Sequence, residues 1–287
     1  MAYRIVTDAT ADLSMNMLEN LPTLTIVPMT VECEGVSYTY GPSGDIDAKK
    51  FYELQRQGNF FKTTSVNPRC YMEIFEPLLE LGLDILYICF TSGMSGCYSN
   101  ALLAVSQLKE KYPQRQIIVV DSLCASVGEG FLVAEALRMQ ANNLMLEDLA
   151  LWVESNKKNV CHWFTVDTFE HLKHGGRVSA TSAAMGTLLQ IKPLLRVDEQ
   201  GGLEVMAKPR GRKNAMKAQL QHMMNTLQDP HRILIGHGDN PEAAQDLAFA
   251  VLEQIPDAQI YIAEIGPVIG SHTGPGMLAL IFWGSER

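Results

Sequence analysis

The sequence predicts an α/β fold of two domains, each a mostly parallel sheet flanked by helices. Three observations predict it. Short apolar runs alternate with helical patterns along the chain, the signature of strand–helix–strand units. One such run, residues 83–90, stops abruptly at Thr91-Ser92-Gly93-Met94-Ser95-Gly96, and a helical pattern begins at Tyr98. A buried strand that ends in hydroxyls and glycines ahead of a helix is the ligand-binding turn of such sheets. Finally, 287 residues that are 47% hydrophobic and 19% charged, against about 25% charged in average globular domains, hold enough apolar mass for two cores.

The first half reads as strands at 3–7, 25–29, 83–90 and 117–120, with helices at 48–57, 68–81, 98–112 and 129–142. Ala101, Leu102, Val105 and Leu108 share one face of the third of these helices. A helix at 145–154 leads into the second half, so the domains are expected at 1–158 and 159–287. The second half has strands at 160–166, 233–237, 260–265 and 277–283. Its helices fall at 168–174, 181–190, 211–227 and 241–255. No internal repeat or low-complexity linker interrupts the pattern.

Three first-half strands end in similar chemistry: Asp8-Ala9-Thr10, Thr91-Ser92-Gly93 and Asp121-Ser122. In a parallel sheet these ends share one edge, where ligands bind. Backbone N–H groups and the helix dipole at the 95–98 turn suit a small anion such as a carboxylate or phosphate. Gly93 and Gly96 would let a ligand approach the backbone. The plainer alternative for Asp8 and Asp121 is helix capping.

Further stretches bear on the site. Lys62-Thr63-Thr64-Ser65-Val66-Asn67-Pro68 precedes a helix with Pro68 in its first turn. Gly266-Pro267-Val268-Ile269-Gly270-Ser271-His272-Thr273-Gly274-Pro275-Gly276 reads as a shaped loop between two strands that presents His272 as a base or an anion donor. Leu172 to Ser179 reads as a helix ending at a glycine cap, which leaves Arg177 at the mouth of the second half. Lys208-Pro209-Arg210-Gly211-Arg212-Lys213 is the densest basic cluster in an acidic chain and suits a docking patch for an acidic partner.

Several function classes are excluded or weakened. A net charge of −9 argues against a nucleic-acid or anionic-membrane surface. No apolar run approaches the ~20 residues of a membrane span, and the opening lacks the apolar core of a signal peptide. Six scattered cysteines with no C-x-x-C pair point to a reduced cytoplasm rather than a disulfide or zinc frame. No Walker or dinucleotide glycine motif occurs. His171 and His174 lie three apart but look like a helix end rather than metal ligands. Ser95 with His272, and Asp239 as third member, is the one candidate hydrolytic constellation; Ser92-Gly93-Met94-Ser95-Gly96 departs from G-x-S-x-G at its first position.

At these residues the chain resembles the DegV family, bacterial proteins that bind fatty acids. The motifs run from end to end. Val6-Thr7-Asp8-Ala9-Thr10-Ala11-Asp12 is similar to V-D-S-T-A-D, Thr64-Ser65 to T-S, and Ser92 to Gly96 with Tyr98 to S-S/G-x-L/M-S-G-T-Y. Asp121-Ser122 with Ala125-Ser126 and Gly128 is similar to D-S-x-x-A-S-x-G, Leu172 to Ser179 to L-K-K-G-G-R-I-S, Ile191-Lys192-Pro193 to I-K-P, and Ser271 to Gly276 to T-H-T-G-P-G. Cys97 stands where Thr is usual, Val66 where Gln is common, and Thr7 where the usual aspartate would fall.

The resemblance implies a long-chain fatty acid held in a tunnel between two α/β domains. Thr64 and Ser95 would bind its carboxylate, His272 would lie close by, and Ser65, Ser92 and Gly96 would complete the site. It implies a carrier rather than an enzyme, with no cofactor besides the lipid and no membrane insertion. A fatty acid kinase would phosphorylate the presented carboxyl group, docking at Arg210, for phospholipid synthesis. The alternatives are a phosphoryl- or acyl-transfer enzyme using Ser95 or His272, and a lipid sensor without a kinase.

Overall fold

A computed structural model of the chain describes residues 2–178 and 190–287. Ser179, and the helix expected at 181–190 apart from Gln190, lie outside the described residues. The first half contains β1 (Tyr3–Asp8), β2 (Leu24–Val27), β3 (Met29–Cys33), β4 (Val36–Tyr40), β5 (Lys62–Thr63), β6 (Asp84–Cys89) and β7 (Ile117–Asp121). Its helices are α1 (Met15–Leu18), α2 (Ala48–Arg56), α3 (Pro68–Glu80), α4 (Cys97–Lys111), α5 (Val127–Ala141) and α6 (Leu146–Asn156). Strands β2, β1, β6 and β7 form a wholly parallel sheet in that order. The ends of β1, β6 and β7 therefore share one edge, as the sequence predicts.

Details differ from the expectation for physical reasons. The run read as one strand at 25–29 breaks at Pro28, whose missing N–H cannot serve a ladder. β2 stops at Val27, and β3 begins a separate antiparallel sheet in the order β4, β3, β5. Glu34 and Gly35, both at positive φ, make its hairpin turn. On α4 the buried face is Ala101, Ala104, Val105 and Leu108, while Leu102 is exposed.

The second half corrects the prediction of a mostly parallel sheet. Among the described residues it contains β8 (Val160–Thr165), β9 (Leu194–Val197), β10 (Leu203–Ala207), β11 (Leu227–His237), β12 (Gln259–Glu264) and β13 (Leu278–Gly284). Its helices are α7 (Glu170–His174), α8 (Arg212–Thr226), α9 (Pro241–Gln254) and α10 (Pro267–Thr273). The sheet order is β10-β9-β8-β13-β11-β12, and only β11 and β12 pair in parallel. β9 and β10 are joined by five residues, too few for the crossover that parallel strands need. Asp198 holds this turn by accepting from the N–H groups of Gln200 and Gly202, both at 2.9 Å.

Helix α5 joins the two sheets. It contacts β8, β11 and β13, and every residue from Val127 to Leu137 is buried. A helix buried on all sides, and mostly apolar, belongs inside a core. One apolar cluster accordingly runs from Ile5, Leu86 and Ile88 through Phe131 and Leu132 to Phe164, Leu234 and Ile281.

Candidate functional site

The carboxyl edge of the first sheet is built by caps. Asp8 Oδ2 accepts from the Phe90 N–H at 3.1 Å, and Asp121 Oδ1 accepts from the Ser92 N–H at 3.0 Å. Thr91 Oγ1 accepts from the Gly93 N–H at 3.1 Å and donates to the Gly201 carbonyl at 2.9 Å. The two aspartates thus brace the turn that follows β6. Gly93 lies against the β9–β10 hairpin, where a Cβ would sit 2.6 Å from the Gln200 carbonyl oxygen. Its bareness serves that contact rather than the approach of a ligand.

Beside this turn lies a cavity with mostly apolar walls, including Phe90, Met94, Phe164, Val197, Met277 and Ile281. Both halves of the chain line it. Of the residues singled out from the sequence, Thr64, Ser65, Ser95 and His272 line this one cavity. Ser92 and Gly96 belong to the same turn but stand outside its wall, both exposed.

Thr64 and Ser65 are exposed, so the cavity reaches the surface beside them. β5 delivers Thr63 to Ser65, and Asn67 caps α3 by accepting from the Cys70 N–H at 3.0 Å. Asn100 of α4 donates to the Val66 carbonyl at 2.8 Å and ties this segment to the Ser95 turn. Ser65 Oγ and Ser95 Oγ are then 3.3 Å apart. Ser95 Oγ also accepts from the Cys97 N–H, at the first residue of α4, at 3.3 Å.

His272 reaches the cavity from a helix, not from the expected loop. Pro267 opens α10, and Gly274 at positive φ closes it. Gly270 is small because a Cβ there would sit 2.6 Å from the Phe51 ring. The glycines thus serve close packing and a cap, a demand that periodicity does not reveal. His272 Nε2 is 2.8 Å from Thr63 Oγ1. Burial, then the charge of Arg177, then His171 and His174, pushes its imidazole down to about 4. The ring is therefore neutral at pH 7.

Arg177 also lines the cavity. Its Nη1 donates to the Gly175 carbonyl at 2.6 Å and its Nε to the Met94 carbonyl at 3.3 Å. It is the one Lys or Arg side chain among the described lining residues, and among those residues its Nη2 has no hydrogen-bond partner. The sequence places Arg177 at the mouth but does not single it out as a ligand group. Thr63 goes unnoticed because a two-residue strand has no periodicity to choose between neighbouring threonines. Phe60 is also missed: its ring packs on His171 and His174 with centroids at 4.9 and 4.8 Å.

The geometry does not assemble a hydrolytic triad. Nε2 of His272 meets Thr63, and Ser95 meets Ser65 and Cys97. Asp239 is engaged by Arg56 at 2.6 Å. In the basic cluster, Arg212 is paired with Asp167, which Lys192 also meets at 2.8 Å, whereas Arg210 is exposed.

Comparison with known proteins gives one consistent result. The profile of the DegV family of uncharacterised proteins matches residues 2–284. A DegV domain-containing protein of Clostridium perfringens is 39% identical over 287 residues, 99% of this chain and 98% of the relative. The solved structure of a fatty-acid-binding DegV family protein from Thermus thermophilus matches with a TM-score of 0.87 and 28% identity, covering 99% of this chain and 100% of the other. The fold is also that of the Streptococcus pneumoniae fatty acid kinase B3 protein loaded with linoleic acid, at TM-score 0.88 and 22% identity, covering 99% of each chain.

Proposed function

The chain belongs to the DegV family, and on that premise we propose that it carries a long-chain fatty acid and presents its carboxylate to a fatty acid kinase. The observation that carries this reading is one mostly apolar cavity whose wall includes Thr64, Ser65, Ser95, the neutral His272 and Arg177, with Thr64 and Ser65 exposed at the surface. The carrier halves are 1–158 and 159–287, with the ligand between them.

The energetics assign separate tasks to tail and head. Burying ~14 methylenes at about 0.8 kcal/mol each supplies ~11 kcal/mol before ordering costs. Each neutral hydroxyl donor adds about 1 kcal/mol net. The tail therefore provides affinity, and Thr64 and Ser95 fix the orientation of the head. Arg177 attracts the carboxylate without a two-pronged clamp, because two of its nitrogens already serve backbone carbonyls. An oxygen left unclamped keeps a lone pair for phosphorylation. Ser65 supports Ser95, and Ser92 and Gly96 shape the turn.

We read this as a carrier's chemistry rather than an enzyme's: Ser95 meets Ser65 and Cys97, and His272 meets Thr63. Kinase docking at the exposed Arg210 is part of the same proposal. A cytoplasmic location fits six thiols that are all free. Lipid extraction and mass spectrometry of protein purified from bacteria tests the reading. A stoichiometric long-chain fatty acid is expected; protein that is empty and takes up none on incubation overturns it.

A further inference from the structure

Behind the cavity wall, helix α5 carries Glu129 into a site with no solvent exposure. Its Oε1 lies 3.0 Å from Thr7 Oγ1 and its Oε2 lies 2.8 Å from Thr10 Oγ1. Each threonine has one hydroxyl hydrogen, and each already faces another acceptor. Thr7 Oγ1 is 3.0 Å from the Ile88 carbonyl, and Thr10 Oγ1 meets Asp8 Oδ1. Two hydrogens are thus asked to fill four contacts.

The missing hydrogen has to come from a carboxyl group, because an ionised carboxylate only accepts. Asp8 is the poor candidate. It already accepts from the Thr10 N–H at 3.1 Å, the Phe90 N–H at 3.1 Å and the Tyr87 hydroxyl at 3.0 Å, besides the Thr10 hydroxyl. Glu129 accepts from no backbone N–H among the described residues. A proton on its Oε2 donates to Thr10, which passes its own hydrogen to Asp8, while Thr7 shares its single hydrogen between Glu129 Oε1 and the Ile88 carbonyl.

We infer that Glu129 is a neutral carboxylic acid in the working protein, and that its proton completes the hydrogen-bond network positioning the turn at 91–96. Asp8 and Thr10 connect it to the backbone of Phe90, one residue before that turn. Thr7 connects it to Ile88, the penultimate residue of β6. Phe90 and Thr10 themselves line the cavity.

The surroundings agree. The ionisable groups that face Glu129 are Asp8 of β1, Asp12 of the segment after it, Cys89 of β6 and Cys124 ahead of α5. Tyr87 of β6 lies one step further, on Asp8. None is a cation, and none of the ion pairs among the described residues includes Asp8, Asp12 or Glu129. A buried unpaired charge is expensive enough that such a group takes up a proton instead. Burial, reinforced by the charge of Asp8, pushes the Glu129 carboxyl far above the usual carboxylate range despite the two threonine hydroxyls. Under the reading of the cavity as a fatty acid site, the same proton also lowers the negative charge behind a wall that must receive an anion.

The test needs no lipid. Infrared difference spectra of delipidated full-length protein against Glu129→Gln, at neutral pH, should show the carbonyl stretch of a protonated carboxylic acid that the variant lacks. Glutamine mimics the neutral acid and keeps a donor for Thr10 without having to take up a proton on folding, so at pH 7 the variant should be at least as stable as the wild type. The sign of the pH effect follows from the raised value. The contribution of Glu129 is complete below its unfolded value of about 4.3 and is lost as pH rises through the folded one. Wild type should therefore lose melting temperature and amide protection at 90–96 toward alkaline pH, and Glu129→Gln should not. If the variant fails to fold, Asp12→Asn assigns the band, which should persist. No difference band, a band abolished by Asp12→Asn, or identical alkaline profiles would each overturn the inference.

Discussion

Ser95 and Thr64 bring hydroxyls rather than charges to the polar end of the cavity, and this choice is measurable. Losing one neutral donor costs about 1 kcal/mol, or about fivefold in affinity. Ser95→Ala and Thr64→Ala should therefore raise the Kd for a fatty acid only about fivefold, while kinase-dependent phosphorylation falls much further because the head is no longer oriented. Wild-type phosphorylation rates in both variants would remove the head-group assignment. At this scale the sequence is legible where motifs are dense. Thr64, Ser65, Ser95 and His272 line one cavity, although they are up to 208 positions apart in the chain. Thr63 and the ligand-facing place of Arg177 are not legible, because each depends on the route of the backbone after it leaves a short element. The charge state of Glu129 is invisible too, since a glutamate among apolar neighbours gives no sign of which hydroxyls it meets.

Helices and strands explain how those side chains converge. α3 and α4 hold Thr64–Ser65 against Ser95 through the Asn67 cap and the bond from Asn100 to the Val66 carbonyl. Asn67→Ala should cost about 1 kcal/mol of unfolding free energy, read as a lower urea midpoint at unchanged slope. An unchanged midpoint would show that the cap does not hold this segment. Parallel order in the first half was readable because each strand is followed by a clear helical pattern. The antiparallel second sheet was not. β9 and β10 are short, and their turn Asp198-Glu199-Gln200-Gly201-Gly202 lacks the two-residue hairpin signature. α10 was read as a loop because Gly266, Gly270 and Gly274 mask a helix whose glycines serve packing against Tyr40, Phe51 and His171.

The two sheets meet around α5, buried from Val127 to Leu137, so they share apolar contacts that sequence periodicity cannot assign to one half or the other. Under the proposed function, this architecture separates lipid binding from partner docking. Arg210 lies exposed and outside the cavity wall, whereas its neighbour Arg212 is bound to Asp167. Arg210→Ala should leave the Kd for fatty acid unchanged and reduce kinase-coupled acyl-phosphate formation by tenfold or more, about 1.4 kcal/mol. Equal loss of lipid binding would contradict a docking role.

One measurement reaches the central claim directly: a crystal structure of the protein saturated with a long-chain saturated fatty acid. Continuous density should fill the apolar cavity, with the carboxylate between Thr64, Ser95 and Arg177 and the methyl end against the second sheet. A lipid bound elsewhere, or lying in the cavity with its carboxylate at the apolar end, would contradict it.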